Sequence, residues 1–309
     1  MLTSLSAEKK WKYSADLMEA DKINNVKVQR LNNNVRFVKE NKILLTDNAV
    51  QYLKDDVIYL NGNTKMINNI DTLTCDSMVY WSEIDSIYAI GNIRFVHGSK
   101  RGILGEEMEI LYADTLVEKI RVINNSFAYN NLNLKISKDG PYLFFRDEMT
   151  SKEMIAYFQD DDIFKLELMN MATTLYHVID DNLLAGENEA SGDTISINFE
   201  EGDIKRIQIM GGALGEFNPE RNNTKFDTTI YYGGDYIDYH IKEELTFLSK
   251  GAFVEYQNTK LSAGEIMVNW ETNILDANIF DEEYPTVQTK GEEPMQGNSM
   301  VFDLIAKHG

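Results

Sequence analysis

The sequence predicts an all-β chain, a solenoid of stacked antiparallel strand pairs. Three observations carry that expectation. Alternating apolar and polar runs of strand length recur along the chain, and no segment shows a helical period. Short polar turns separate the runs. The pattern returns at a spacing of about 30 residues, in the range that marks repeat architectures.

The clearest unit lies at 71–95. A run at 71–81 alternates, 82–85 is a polar turn, and a second run from Ser86 ends at Gly91-Asn92-Ile93-Arg94-Phe95. With Asp76 as an anchor, equivalent positions fall at Asp16, Asp47, Glu106, Lys152, Asp193, Asp235, Gly264 and Asn298. Two residues after each anchor stand Met18, Ala49, Met78, Met108, Met154, Ile195, Ile237, Ile266 and Met300, all apolar. Four residues after stand Ala20, Gln51, Tyr80, Ile110, Ala156, Ile197, Tyr239, Val268 and Phe302, and Gln51 alone breaks that column. Residues two apart share one face of a strand, so each unit is expected to point the same pair inward. A Gly or Asn step in the second half of the units (Asn33-Asn34, Gly62-Asn63, Gly91-Asn92, Gly212, Gly251) marks a corner or bulge with positive φ. Acidic turns join the halves at 54–56, 82–85, 160–162, 200–203 and 271–273. They lack the ligand spacing and central glycine of a calcium loop.

The spacing widens in the middle, at 121–149, 180–191 and 217–230, which read as insertions at one rim. One continuous array over 1–309 is expected, with a possible subdivision into 1–120 and 150–309 around the insertion at 121–149. A propeller is the weaker architectural alternative.

Composition narrows the partners. Hydrophobic residues make up 43% of the 309, enough for a packed interior, and four prolines leave no Pro-rich linker. The net charge of −20 excludes nucleic acid and charge-driven adsorption to anionic membrane. The single cysteine, Cys75, cannot form an internal disulfide and reads as a small buried side chain. No apolar run is long enough for a transmembrane helix, and residues 1–10 do not read as an export signal.

No catalytic constellation is visible. His97, His177, His240 and His308 are too dispersed for a metal motif, and no nucleophile elbow or phosphate loop occurs. The expectation is a protein without enzymatic activity, cofactor or metal. The inward columns, rich in Met, Ile, Tyr and Phe, are compatible with a dry core or with a trough for a hydrophobic ligand.

Strands carrying Ala15-Asp16, Thr46-Asp47, Cys75-Asp76 and Ala263-Gly264, followed by Asn34-Val35, Gly91-Asn92-Ile93 and Gly251-Ala252-Phe253, resemble the OstA-like family. That family includes the lipopolysaccharide-transport protein LptA and the periplasmic N-terminal domain of LptD. The resemblance runs from about Trp11 to His308. It implies a β-jellyroll, or β-taco, in the periplasm, which encloses lipid A acyl chains and passes lipopolysaccharide toward the outer membrane. It also implies partners: lipopolysaccharide, and other OstA-like modules or Lpt components joined by edge-strand addition. It supplies no catalytic motif. Lipid contacts are expected at Met78, Tyr80, Met108, Ile110, Ile195, Ile197, Ile237, Tyr239, Ile266 and Val268. A structural or surface scaffold with a dry core is the alternative.

Overall fold

The computed structural model describes residues 10–113, 116–160, 162–221, 223 and 225–306. Asp161 of one predicted turn, His308, and residues 1–9 of the segment read for an export signal lie outside them. Among the described residues there are twenty strands and no helix. The chain forms two compact units, Met1–Ser126 and Phe127–Gly309.

The first unit contains β1 (Lys12–Ser14), β2 (Leu17–Ile23), β3 (Val26–Lys39), β4 (Lys42–Tyr52), β5 (Val57–Asn68), β6 (Asp71–Trp81), β7 (Ser86–His97) and β8 (Arg101–Ala113). The boundary between the units falls inside β9 (Leu116–Leu134). From β2 to β8 each strand pairs antiparallel with the next, and β1 pairs with the far half of β3. Hairpin turns such as Asn24-Asn25 place both central residues at positive φ, which matches the right-handed strand twist.

Every long strand bends in the middle. Asn33-Asn34, Gly62-Asn63 and Gly91-Asn92 all have positive φ. Each pair stands opposite one residue of the following strand: Asp47, Asp76 and Glu106. Two residues against one is a β-bulge, and a bulge bends its strand. Because these bulges lie at one level in alternate strands, with the opposing residues of the strands between them at the same level, each strand has two arms. The first arm carries the in-register row Leu31, Ala49, Leu60, Met78, Ala89 and Met108. The second carries Phe37, Leu44, Met66, Leu73, Phe95 and Ile103. All twelve are buried, so the arms hold an apolar interior between them.

The second unit repeats the plan. It contains β10 (Leu143–Gln159), β11 (Asp162–Asp180), β12 (Leu183–Glu200), β13 (Asp203–Pro219), β14 (Ile230–His240), β15 (Leu245–Tyr256), β16 (Thr259–Asn269), β17 (Ile274–Asn278), β18 (Thr286–Thr289), β19 (Met295–Gln296) and β20 (Ser299–Asp303). Bulge pairs at Asn170-Met171, Gly211-Gly212 and Lys250-Gly251 stand opposite Asp193, Asp235 and Gly264. A first-arm row runs through Met154, Leu168, Ile195, Ile209, Ile237, Leu248, Ile266 and Ala277. After β16 the two arms are supplied by separate strands: β17 and β20 extend the first, β18 and β19 the second.

Two expectations are corrected here. The wider spacing at 121–149 and 180–191 does not come from rim insertions alone. Strands β9 to β13 are 17 to 19 residues long, against 11 to 14 for β3 to β8. Residues 183–191 belong to β12, joined to β11 by a two-residue turn at Asp181-Asn182. The second correction concerns Met18 and Ala20, which are exposed rather than interior. Met18 is in register with buried Leu31. Among the described strands, β2 has only β3 beside it, so nothing covers that side of Met18.

Candidate functional site

The corner fixes the shape of the interior. A left-handed backbone pair leaves polar groups turned outward at the bend, and a side chain of the preceding layer meets them. Asn34, Asn63, Asn92 and Asn125 donate side-chain N–H groups to Asp16 (2.8 Å), Asp47 (2.8 Å), Asp76 (2.9 Å) and Glu106 (2.5 Å). In the second unit the same role passes to backbone donors: Gly251 N–H reaches Glu283 at 2.6 Å and Gly212 N–H reaches Asp235 at 3.4 Å. Charge-assisted bonds of this kind hold the bend at these layers. Asp16, Asp47, Asp76, Glu106 and Asp235 among the anchors found by repetition are therefore caps of the corner.

The residues expected to contact lipid fall on the interior rows of the first arms. Met78 and Met108 share one row of the first unit, with Tyr80 and Ile110 two residues further on. Ile195, Ile237 and Ile266 share the corresponding row of the second unit, beside Ile197, Tyr239 and Val268. None of the ten is more than 5% exposed. The fold brings four together in one unit and six in the other. Their packing is that of a filled interior.

Opposite the corner, the ends of the two arms meet at a mouth, which alternation along single strands does not reveal. In the first unit, Lys42 begins β4 at the end of the second arm. Asp85 lies in the turn between β6 and β7, at the end of the first. The Lys42 ammonium, 4% exposed, binds the Asp85 carboxylate. Tyr80 donates its hydroxyl to the same carboxylate at 2.5 Å, and the Lys42 Nζ lies 4.2 Å from the centre of the Tyr112 ring. Trp11 closes the same gap. Its indole N–H donates to Ser82 at 2.9 Å, and its ring meets Tyr80 edge-on at 5.3 Å. Burial pushes the Lys42 ammonium below its ordinary pKa, and the Asp85 contact opposes that shift. Burial, then the Asp85 contact, pushes the Tyr80 phenol up.

The second unit uses aromatic contacts instead. Tyr239 on the first arm donates to Tyr232 on the second at 2.7 Å, and Tyr232 donates to Asn188 at 2.5 Å. Trp270 donates to Thr246 at 2.8 Å and packs its ring against Tyr232 and Phe226. Lys42, Asp85, Trp11, Asn188 and Tyr232 were all missed from the sequence. A signal existed for Lys42, which occupies the inward phase of a strand continued by Leu44 and Thr46.

The arrangement can enclose apolar matter; most polar groups at the mouths are tied to one another, but the Tyr112 hydroxyl and the Asn188 amide nitrogen are buried without a hydrogen-bond partner. His177 Nδ1 lies 3.0 Å from the Asp147 carboxylate, which accepts, but its other ring nitrogen faces Glu187 at 3.5 Å, not a hydroxyl or thiol. Among the described residues no cluster of His, Cys, Asp and Glu could hold a metal ion.

Fold and interior define a class: a β protein, without helix among the described residues, whose bent antiparallel strands enclose two-armed apolar interiors. Residues 11–114 match the family model described as OstA-like protein, so β1 to β8 make up an OstA-like segment, and the resemblance read from the motifs holds there. One similar solved structure is described as LptH, the LptA homologous periplasmic component of the conserved lipopolysaccharide transport device from Pseudomonas aeruginosa. It is 12% identical, with a TM-score of 0.35, over 50% of this chain and 93% of that one. No curated protein matches.

Proposed function

We propose that this chain is a non-enzymatic periplasmic carrier that binds lipopolysaccharide and helps bridge its path to the outer membrane. Lipid A acyl chains would lie between the arms, against the ten residues named above. Other OstA-like modules or Lpt components would join by edge-strand addition, since an outer strand with one neighbour keeps a row of unpaired backbone groups. The observation that carries the reading is the register. Apolar side chains stack strand after strand in the same two rows, which gives each interior a continuous greasy wall.

One observation favours a second reading, a scaffold with a dry core: all ten residues are buried by protein alone. Lipid uptake therefore requires the arms to part. A photoreactive amino acid at Met78 or at Ile237 separates the two readings. The carrier yields adducts with co-expressed lipopolysaccharide at both positions. No adduct at either, beside a working positive control, would leave the scaffold.

A further inference from the structure

The mouth of the first unit holds a group that an apolar interior does not need. Lys42 is the only lysine or arginine buried among the described residues. Removing its charge from water costs several kcal/mol before any partner is counted, and a methionine would fill similar space without that cost. The partner, Asp85, is 27% exposed and lies in a turn beside Ile84, which is 62% exposed. The cation thus stands on the wall, and its carboxylate stands on a lip.

A second unused group adjoins it. The Tyr112 hydroxyl is buried and has no hydrogen-bond partner, although its ring packs against the Lys42 ammonium. A buried donor without a partner costs about 1–3 kcal/mol, so its retention calls for an explanation. An amphiphile whose chains follow the interior rows must leave its polar group at the mouth, at the level of Lys42, Tyr112 and Asp85.

We propose that Lys42 binds the anionic group, a phosphate or carboxylate, of an amphiphile held in the first unit, with Asp85 as its internal substitute when no amphiphile is bound. Tyr112 supplies a second donor to the same anion. This rests on the lipid-carrying reading above and adds the residue that recognises the polar end. Uptake then exchanges one anion for another at a buried cation, so Lys42 is never left unpaired.

The test compares two soluble lipids that differ in one phosphate, 1-myristoyl-lysophosphatidate and 1-monomyristoylglycerol, by calorimetric titration below their micelle concentrations. The wild-type protein binds the phosphate lipid about tenfold or more tighter, the range expected of one charged hydrogen-bonded contact. Lys42→Gln abolishes that preference, Lys42→Arg keeps most of it, and Asp85→Asn strengthens phosphate-lipid binding by removing the competitor. Equal wild-type binding of both lipids, or a preference that survives in Lys42→Gln, overturns the assignment while leaving lipid carriage intact. Wild-type protein that binds neither lipid removes the carrier reading, and this assignment with it. If Lys42→Gln does not fold, Asp85→Asn decides: weaker phosphate-lipid binding than wild type refutes the exchange.

Discussion

Gly91→Ala tests whether the stacked corners hold the first unit in shape. Gly91 has φ +76°, and a Cβ there would lie 2.3 Å from the Asp76 Oδ2 and 3.0 Å from its Cγ. Two costs follow. Left-handed backbone costs an L-residue about 1–2 kcal/mol. Displacing Asp76 also breaks its bonds from Asn92, 2.9 and 3.1 Å long. Asp76 is exposed, so solvent reduces that loss to about 1 kcal/mol. The sum is about 2–3 kcal/mol. Gly98→Ala is the internal control, because Gly98 also has positive φ (+59°) but nothing lies within 4 Å of its would-be Cβ. Its expected cost is the backbone part alone, about 1–2 kcal/mol. Urea denaturation followed by tryptophan fluorescence compares the two. Adding Asp76→Ala to Gly91→Ala should recover part of the difference, since the carboxylate is then gone and only the Cβ, 3.1 Å away, remains close. Equal destabilisation by Gly91→Ala and Gly98→Ala, with no coupling to Asp76, would refute the claim that the acid caps and the bulge form one device.

Two further outcomes are expected. Burial holds the Lys42 ammonium below its ordinary pKa of 10.5, so the unfolded chain binds more protons at this group than the folded one between the two values. Stability from this group therefore rises with pH through that window. The urea midpoint of wild type should gain on that of Lys42→Met as pH climbs toward 10.5; a constant or shrinking difference would contradict the buried-cation reading. Cys75 is 5% exposed, and its thiol is pushed up to about 12 by burial and, secondarily, by Asp76. It should resist a thiol-labelling reagent at pH 8 in the native protein and react at once in urea; rapid native labelling would mean the arms open far more readily than their packing implies.

Much of this fold is legible in local chemistry. The alternation at 71–81 puts Met78 and Tyr80 on one inward face, and both are buried; Leu73, of the opposite phase, is buried as well because the phase shifts at Asp76-Ser77, where the strand faces a bulge. Gly91-Asn92 and Asn33-Asn34 announce positive φ because few other residues tolerate it, and both form bulges. Asn170-Met171 escaped notice, since methionine gives no such signal, yet its φ is +62°. The length of β12 is not legible in the sequence, because polar stretches such as 186–193 alternate weakly, and the partner strands, not intrinsic preference, hold them extended. Met18 shows the opposite failure. Its local pattern matches the repeat, but burial needs a neighbour on both sides, and β2 has one described neighbour.

By itself the sequence determined the strands, their turns, the levels at which they bend and the apolar rows, because each depends on residues within one or two strands of one another. Only the tertiary structure decided what faces what across the interior. Lys42 and Asp85 lie 43 residues apart and on different arms. They meet because the intervening hairpins stack in register and every strand bends at one level, and no pattern along a single strand encodes that closure.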